Sequence, residues 1–373
     1  MTTIFHYEEL SWPEIAALDR DIPFVIPLGD GFNHEELAVK LGKPEKLGIL
    51  PAIPFGWKGS GLDVPVKILG ELIDHLATNL SEDGFTNVQI LVPEDISFKC
   101  NSPVIRLPGE KPKDFGLSQA DHARVVLVPI GHTEQHGMHL PLSVDTMCIE
   151  AVMQGTAKRI PEKSVCLPVF PYGVSTHRKT FAGTMNVRGR TFEDFWLAII
   201  DTLAGMGYEM IYLDSGHGGS VSFLVTVVKY ASEKHPHVFC ATTYCYLGGP
   251  KSADILKEHR QSRIGGMGHA CELETSLALV LRPDLVHMDR AVDEIEFIST
   301  PSYYQDWIEG GALTANPPWT DDTFTGAYGA GSLGTAEKGK IWLEAAITEK
   351  IDHVNEIIEQ QKRRKAKRFS MTK

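Results

Sequence analysis

The sequence predicts an α/β protein: a three-layer αβα domain with a mostly parallel sheet, preceded by a smaller α/β unit. Two observations predict this fold. Short apolar runs typical of buried strands alternate with helical stretches from about residue 121 onward, which implies parallel strands covered by helices on both faces. A weaker copy of the same landmarks precedes them. We therefore divide the chain into a first unit (1–93), a linker (94–120) and a larger domain (121–373).

Composition excludes several classes of protein. The chain has 373 residues, of which 43% are hydrophobic, enough for a substantial core. Its net charge of −12 argues against nucleic-acid binding. It has no apolar run long enough to span a membrane, and the composition of its first residues leads us to expect no signal peptide. Its six cysteines are scattered without a C-x-x-C pair, so we expect a cytoplasmic protein without disulfides.

The first unit has strand and helix patterns of ordinary length. The spacing of apolar residues and the positions of proline and glycine predict a helix over 10–18, a strand over 24–27, a helix over 66–80 and a strand over 88–92. The following segment, 94–120, is rich in Pro, Gly, Lys and Asp and has no hydrophobic period, so it is predicted to be a linker.

The first unit resembles a shortened copy of the larger domain. Three landmarks occur in the same order in both, at 27–29, 51–56 and 84–85 and again at 129–131, 168–173 and 207–208. Phe32 stands where the larger domain has Glu134, and Glu94 stands where it has His217. We interpret the first unit as a degenerate, non-catalytic half-repeat that serves packing or subunit contact. The alternative is that any two βαβ segments look alike.

The larger domain alternates strands and helices. Hydrophobic periodicity predicts strands over 125–128, 165–169, 210–213 and 238–244, and helices over 147–159, 192–206, 222–233 and 340–360.

Polar side chains follow the first strand of this domain. Glu134, His136, His139 and Asp145 occur within a dozen residues, and Gly131 allows a tight turn before them. Chemistry in parallel sheets collects at the carboxyl ends of strands. Carboxylates and imidazoles are ligands that Zn²⁺ or Mn²⁺ accepts, so this loop predicts a metal site, although each residue alone would be an ordinary solvated loop residue.

Two further segments carry candidate groups. His217 follows another apolar strand within a glycine-rich turn; alone it would be a turn residue, but beside the first loop it becomes a further metal ligand. Glu272 and Glu274 stand near the start of a predicted helix, where acidic residues are favoured in any case. Residues two apart on a helix point about 200° apart, so the two glutamates should have different tasks.

These segments resemble the creatininase family of metal-dependent amidohydrolases over about 119–340. Residues 134–145 read E-Q-H-G-M-H-L-P-L-S-V-D, which resembles the family signature at every position except 138, 143 and 144, where the signature is variable. D-S-G-H-G-G at 214–219 resembles the family's N-G-H-G-G-N, and H-A-C-E-L-E-T-S at 269–276 resembles H-A-G-E-x-E-T-S. The resemblance implies a creatininase-like fold and a hydrolase in which metal-activated water attacks a carbonyl.

The resemblance also implies roles for individual residues. It suggests one or two divalent ions, with zinc first and manganese or iron as alternatives. His269 and Glu274 would handle protons, while His177, in a segment similar to the family's Y-G-x-S-x-x-H, and His139 would line the substrate pocket. The metal ligands implied are Glu134, His136, Asp145, His217 and Glu272.

The substrate is left open. Relatives that act on creatinine have a glutamate two residues after the glycine-flanked histidine and tryptophans between it and the third motif, whereas this chain has Gly219 and no tryptophan over 218–268. We expect hydrolysis of a small cyclic amide or related C–N bond. The alternatives are hydrolytic C–C ring opening of a cyclic diketone such as an oxidised inositol, or a metal-stabilised, non-catalytic scaffold. The family resemblance further implies a homo-oligomer such as a hexamer. From the charge and the lack of an apolar span we expect no nucleic-acid or membrane partner.

Overall fold

The computed structural model describes residues 1–109, 115–117, 122–176 and 180–371. The first unit of the chain contains a five-stranded sheet in the order β1-β3-β2-β4-β5, and all neighbouring strands in it are parallel. The strands are β1 (Thr3–His6), β2 (Phe24–Pro27), β3 (Lys46–Ile49), β4 (Val88–Pro93) and β5 (Val104–Leu107).

Three helices accompany this sheet, α1 (Trp12–Ala16), α2 (His34–Lys40) and α3 (Val66–Glu82). A capping box between Ser11 and Glu14 starts α1, and the Asn33 side chain caps α2. Helix α3 buries four leucines and one isoleucine at helical spacing and is followed by Gly84 at φ +95°.

The segment predicted as a linker contains β5, which extends the first sheet beside β4. The prediction of a linker over 94–120 is therefore wrong for residues 104–107, which form a strand. This strand has only four residues and lies between Pro103 and Pro108, so no alternation long enough to identify it is visible in the sequence. Residues 110–114 and 118–121 lie outside the described part of the chain.

The larger domain has a parallel four-stranded sheet in the order β7-β6-β8-β9. Its central strands are buried at every position, as expected for a parallel sheet covered on both faces. The strands are β6 (Val125–Ile130), β7 (Ser164–Cys166), β8 (Met210–Ser215) and β9 (Phe239–Tyr244), followed by the antiparallel pair β10 (Met267–His269) and β11 (Tyr328–Gly329).

Helices cover both faces of this sheet. Alternate residues of β6 face opposite cores: Val126 and Val128 pack with α5 and α6, while Val125 and Leu127 pack with α4, α8 and α9. The predicted α/β fold is therefore confirmed. The helices are α4 (Val144–Arg159), α5 (Gly189–Gly205), α6 (Gly218–Lys234), α7 (Ser252–His259), α8 (Glu272–Leu281) and α9 (Ala336–Met371).

The two sheets have related topology and share one core. The order β3-β2-β4-β5 corresponds to β7-β6-β8-β9, and the isolated bridges Leu28–Ile53 and Ile130–Phe170 occupy corresponding places. These correspondences support the half-repeat, whose exact bounds stay a prediction. One apolar cluster contains side chains from both sheets, and α3 contacts α5. Within the described ranges, no helix is both long enough and apolar enough to cross a bilayer.

Candidate metal centre

Two glycines allow the start of α4 to lie against the ends of β6 and β8. A Cβ atom on Gly216 would lie 2.2 Å from the Asp145 carbonyl oxygen, and one on Gly131 would lie 2.4 Å from Thr146 Oγ1. Neither position has room for a side chain. This close approach brings Asp145, in the first turn of α4, between the loops that follow the two neighbouring strands.

The carboxylate of Asp145 lies between two imidazoles. Its Oδ1 is 3.3 Å from His136 Nε2, and its Oδ2 is 3.1 Å from His217 Nδ1. Glu134 Oε2 is 2.9 Å from His217 Nδ1, and Glu274 Oε1 is 3.9 Å from His136 Nε2. All five side chains are buried. Four of the residues predicted as metal ligands are thus brought together.

Backbone carbonyls orient both imidazoles. His136 Nδ1 lies 3.0 Å from the Glu134 carbonyl oxygen, and His217 Nε2 lies 3.0 Å from the Val174 carbonyl oxygen. A carbonyl only accepts, so each of these nitrogens carries a ring proton and the opposite nitrogen of each ring faces Asp145. Metal-binding histidines are held in this way by a hydrogen bond from the other ring nitrogen.

The pKa values show a compact, strongly interacting group. Burial would raise the pKa of Asp145, but His136 and His217 outweigh burial and lower it to about 2. Burial would lower the pKa of His136, but the carboxylates, Asp145 foremost, raise it to about 9. The same competition, with Glu134 the foremost carboxylate, holds the pKa of His217 well above its ordinary value. A divalent cation would take the place of the protons that the imidazoles otherwise hold.

Glu272 and Glu274 lie on different sides of α8, and only one of them faces the cluster of proposed metal ligands. Glu272 accepts hydrogen bonds from the Ser262 backbone N–H at 2.8 Å and from Lys338 Nζ at 2.5 Å. Glu274 belongs to a potential metal-binding group with His136 and Asp145. The prediction that Glu272 is the ligand is therefore not supported by the geometry, which places Glu274 at the cluster instead. Burial, reinforced by Asp145, raises the pKa of Glu274 to about 7.

The other predicted histidines differ in their placement. The ring of His269 lies 4.1 Å from that of His136, and its Nε2 lies 2.6 Å from the Gln135 carbonyl oxygen. His139 is instead buried beneath the site, with Nε2 2.9 Å from Thr275 Oγ1. It is not among the described residues that line the cleft, so its predicted substrate contact is not supported. His177 lies outside the described residues.

Sequence reasoning missed His132. Its ring lies 4.4 Å from that of His217, and it forms a potential metal-binding group with Glu134 and His217. The Gly173 backbone N–H donates to His132 Nδ1 at 2.9 Å, which leaves the ring proton on Nε2. His132 is therefore a weaker ligand candidate than His136 or His217. Its position two residues before Glu134, in the same loop, was the available signal.

A cleft of about 520 Å³ opens above the cluster. Glu134, Asp145, His217, His269 and Glu274 contribute to its polar part. The segment 218–268 contains no tryptophan, but two tryptophans from later in the chain, Trp307 and Trp319, line the cleft. The aromatic residues that line it are Phe223, Tyr244, Tyr303, Trp307, Trp319 and Tyr328.

The family model described as creatinine amidohydrolase matches residues 115–354, the range that contains the whole cluster. This chain belongs to the creatininase family. It is accordingly a hydrolase, and the family resemblance drawn from the motifs is confirmed.

Curated relatives of this creatininase-family chain have several activities. A creatinine amidohydrolase from Pseudomonas putida is 28% identical over 257 residues, covering 65% of this chain and 94% of the relative. A 3-dehydro-scyllo-inosose hydrolase from Thermotoga maritima is 26% identical over 261 residues, covering 62% and 76%. A mycofactocin precursor peptide peptidase from Mycolicibacterium smegmatis is 30% identical over 175 residues, covering 45% and 62%.

Solved creatininase structures share the fold. A glutamate-to-glutamine variant of creatininase complexed with creatine has a TM-score of 0.53 and 25% identity, covering 64% of this chain and 94% of its own. A manganese form of creatininase has a TM-score of 0.53 and 24% identity, covering 64% and 93%. A zinc–zinc form is also known for the glutamine variant.

Proposed function

We propose that this creatininase-family hydrolase uses one or two divalent ions, zinc first, to hydrolyse a C–N bond in a small cyclic amide or related molecule. The observation that carries the proposal is the position of Asp145. Each of its two oxygens lies within 3.3 Å of a ring nitrogen of a different imidazole, His136 Nε2 or His217 Nδ1. Glu134 and Glu274 add carboxylate oxygens on either side.

The donor set fits a divalent cation. The buried nitrogen His136 Nε2, which faces Asp145, makes no hydrogen bond within the described part of the chain. Buried polar atoms without partners are uncommon in native proteins and often mark a site for an ion or water. Imidazole nitrogens with carboxylate oxygens are a donor set that zinc and manganese both accept.

Glu134, His136, Asp145, His217 and Glu274 would hold the metal. When bound, a divalent ion supplies Lewis acidity, which lowers the pKa of a water and polarises a carbonyl oxygen. The ligands require support from the protein to stay in place. The Ser175 hydroxyl donates to Glu134 Oε1 at 2.7 Å, and the two carbonyls described above fix the imidazoles.

We assign proton handling to His269. It lines the cleft, and burial lowers its pKa to about 3, so its ring is neutral. The Gln135 carbonyl holds the proton on Nε2, which leaves Nδ1 to accept a proton or a hydrogen bond from the substrate. The sequence predicts that Glu274 shares this task, but its place beside His136 and Asp145 suits a ligand better.

The shape of the cleft supports a flat, small substrate, since aromatic rings over a polar floor stack on planar groups. Creatinine itself is disfavoured by Gly219, where creatinine-acting relatives have a glutamate. A Cβ atom there would lie 2.5 Å from His217 Nε2 and 2.6 Å from the Val174 carbonyl oxygen. The site as built therefore has no room for that extra carboxylate.

Hydrolytic C–C ring opening of a cyclic diketone is the second candidate. It is favoured by the Thermotoga maritima relative, of which the match covers 76%. The third hypothesis, a non-catalytic scaffold, is not kept, because the chain belongs to a family of hydrolases. Assembly into a homo-oligomer and a cytoplasmic location stay predictions.

Turnover by the zinc-loaded full chain tests the proposal. Each compound in a panel of cyclic amides and cyclic diketones is incubated with protein, and mass spectrometry detects a product heavier by one water. Glu134→Gln should lower turnover of any substrate found by at least about 100-fold. Loss of a residue that only hydrogen bonds to a metal ligand lowers activity by up to about 100-fold, and loss of a ligand should lower it at least as much. Glu233→Gln, an exposed change on α6, is the matched control. Unchanged turnover in Glu134→Gln would contradict a catalytic role for the cluster.

A further inference from the structure

The first unit touches the loops that build the metal centre. None of its described residues belongs to the potential metal-binding groups. Its contacts with those loops are nevertheless specific hydrogen bonds as well as apolar packing. This inference rests on the proposed function, because it concerns how the same metal centre is held in place.

A chain of hydrogen bonds runs from α3 to the cluster. Asn79 Nδ2 donates to the Asn186 carbonyl oxygen at 2.8 Å. Asn186 Oδ1 accepts from the Ser175 backbone N–H at 2.8 Å, and Ser175 Oγ donates to Glu134 Oε1 at 2.7 Å. Asn79, Ser175 and Glu134 are all buried. Three hydrogen bonds therefore connect a helix of the first unit with a proposed metal ligand.

The last bond of this chain determines how Glu134 presents its carboxylate. Ser175 holds Oε1, while Oε2 lies 2.9 Å from His217 Nδ1. If Ser175 moved, Glu134 could rotate and either oxygen could face the cluster. Hydrogen bonds to metal-binding carboxylates orient them, and their loss weakens metal affinity.

A second route from the first unit reaches the same residue through the main chain. The Leu10 carbonyl oxygen accepts from the Leu142 backbone N–H at 2.9 Å. The Leu142 carbonyl oxygen in turn accepts from the Glu134 backbone N–H at 3.0 Å. Both the backbone and the side chain of Glu134 are thus connected with the first unit.

We propose that Asn79 is a positioning residue for Glu134, acting through Asn186 and Ser175, and that the first unit serves to orient the metal centre. The sequence predicted only packing or subunit contact for this unit. The match to the family model begins at residue 115, after Asn79, so the family resemblance does not supply this role.

Zinc binding to the metal-free full chain tests the proposal. Isothermal titration calorimetry with Zn²⁺ alone measures the dissociation constant of Asn79→Ala, Ser175→Ala and the double variant. Ser175→Ala should raise the constant about tenfold and Asn79→Ala somewhat less. The double variant should match Ser175→Ala, because residues acting through one path are not additive.

Two further variants separate this effect from loss of folding. Thr78→Ala changes the neighbouring exposed residue, whose hydroxyl bonds within α3 to Asp74, and should leave zinc affinity unchanged. Asn79→Asp preserves volume and removes the donated hydrogen bond, so it should weaken zinc binding even if Asn79→Ala folds poorly.

The outcomes distinguish this inference from the proposed function. Unchanged zinc affinity in both Asn79 variants, or a double variant whose effects are additive, overturns the role of Asn79 and leaves the metal centre intact. His217→Ala is the comparison for the centre itself. If His217→Ala also binds zinc like the wild type, the proposed function fails as well.

Discussion

Gly219 lies at the start of α6, two residues after His217. A Cβ atom at this position would approach both His217 Nε2 and the Val174 carbonyl oxygen, the two atoms that hydrogen bond to each other at 3.0 Å. Any side chain would therefore disturb the contact that holds the ring proton on Nε2. Gly219, which distinguishes this chain from creatinine-acting relatives, therefore also allows the proposed ligand His217 to keep its orientation.

Gly219→Ala should weaken zinc binding by about tenfold, because His217 must shift away from the added methyl group. Overpacking should also lower the free energy of unfolding by about 1–3 kcal/mol. Calorimetry with Zn²⁺ and urea unfolding measure the two effects. Gly205→Ala, in α5 with no atom within 4 Å of the added Cβ, is the control. Wild-type zinc affinity in Gly219→Ala would show that His217 does not depend on this contact.

The metal-binding loops could largely be predicted from residue types and strand ends. Glu134, His136, Asp145 and His217 follow β6 and β8, and the neighbouring parallel strands bring them together. His132 was not identified because a histidine's role depends on which ring nitrogen is already bonded. That bond comes from the Gly173 backbone, distant in sequence.

Helix α8 places two glutamates in different environments. Glu272 faces Lys338 of α9 and the backbone of 261–262, whereas Glu274 faces His136 and Asp145. Helical geometry predicted that the two would point apart but not which one faces the loops. That choice depends on how α8 packs against α9, which local sequence spacing does not specify.

Lys338→Met should lower the free energy of unfolding by about 3–5 kcal/mol, because it leaves the fully buried Glu272 carboxylate without its cation. Urea unfolding measures the loss. The double variant Glu272→Gln with Lys338→Met should recover much of it, since no buried charge remains unpaired.

Measuring zinc binding identifies which of the two glutamates is the metal ligand, without relying on the free energy of unfolding. Glu272→Gln should keep the zinc stoichiometry of the wild type, whereas Glu274→Gln should bind zinc more weakly. The reverse pattern would restore Glu272 as the ligand and show that α8 is rotated relative to this structure.

Buried apolar strands and amphipathic helices were predicted well, and short strands without an apolar run were not. Strand β2, whose four residues are all buried, and helix α3 start at their expected positions, whereas the partly exposed β5 and the three-residue β10 were not predicted. Such short strands form because neighbouring strands offer hydrogen bonds, so tertiary context rather than local pattern determines them. The cleft tryptophans Trp307 and Trp319 belong to a region of short turns that carries no periodic signal.

At the scale of the whole molecule, the two units share one apolar core. Phe55 of the first unit lies with its ring 5.7 Å from Phe170 and 6.2 Å from Trp196 of the larger domain. All three side chains are fully or almost fully buried. We therefore expect the units to unfold together.

Phe55→Ala should lower the free energy of unfolding by about 3–5 kcal/mol, the usual cost of removing a buried phenylalanine. Unfolding followed by tryptophan fluorescence and by circular dichroism should show one coincident transition. Phe324→Ala, at a side chain that is 92% exposed, should change stability by less than about 0.5 kcal/mol. Two separate transitions would indicate that the first unit folds independently.

The metal content of the protein tests the central claim most directly. The full chain is loaded with Zn²⁺, desalted and measured by inductively coupled plasma mass spectrometry beside His217→Ala. We predict one or two zinc ions per wild-type chain and a clear loss in the variant. A folded wild-type chain that retains no zinc, or a variant that retains as much, would contradict the assignment of this cluster as a metal centre.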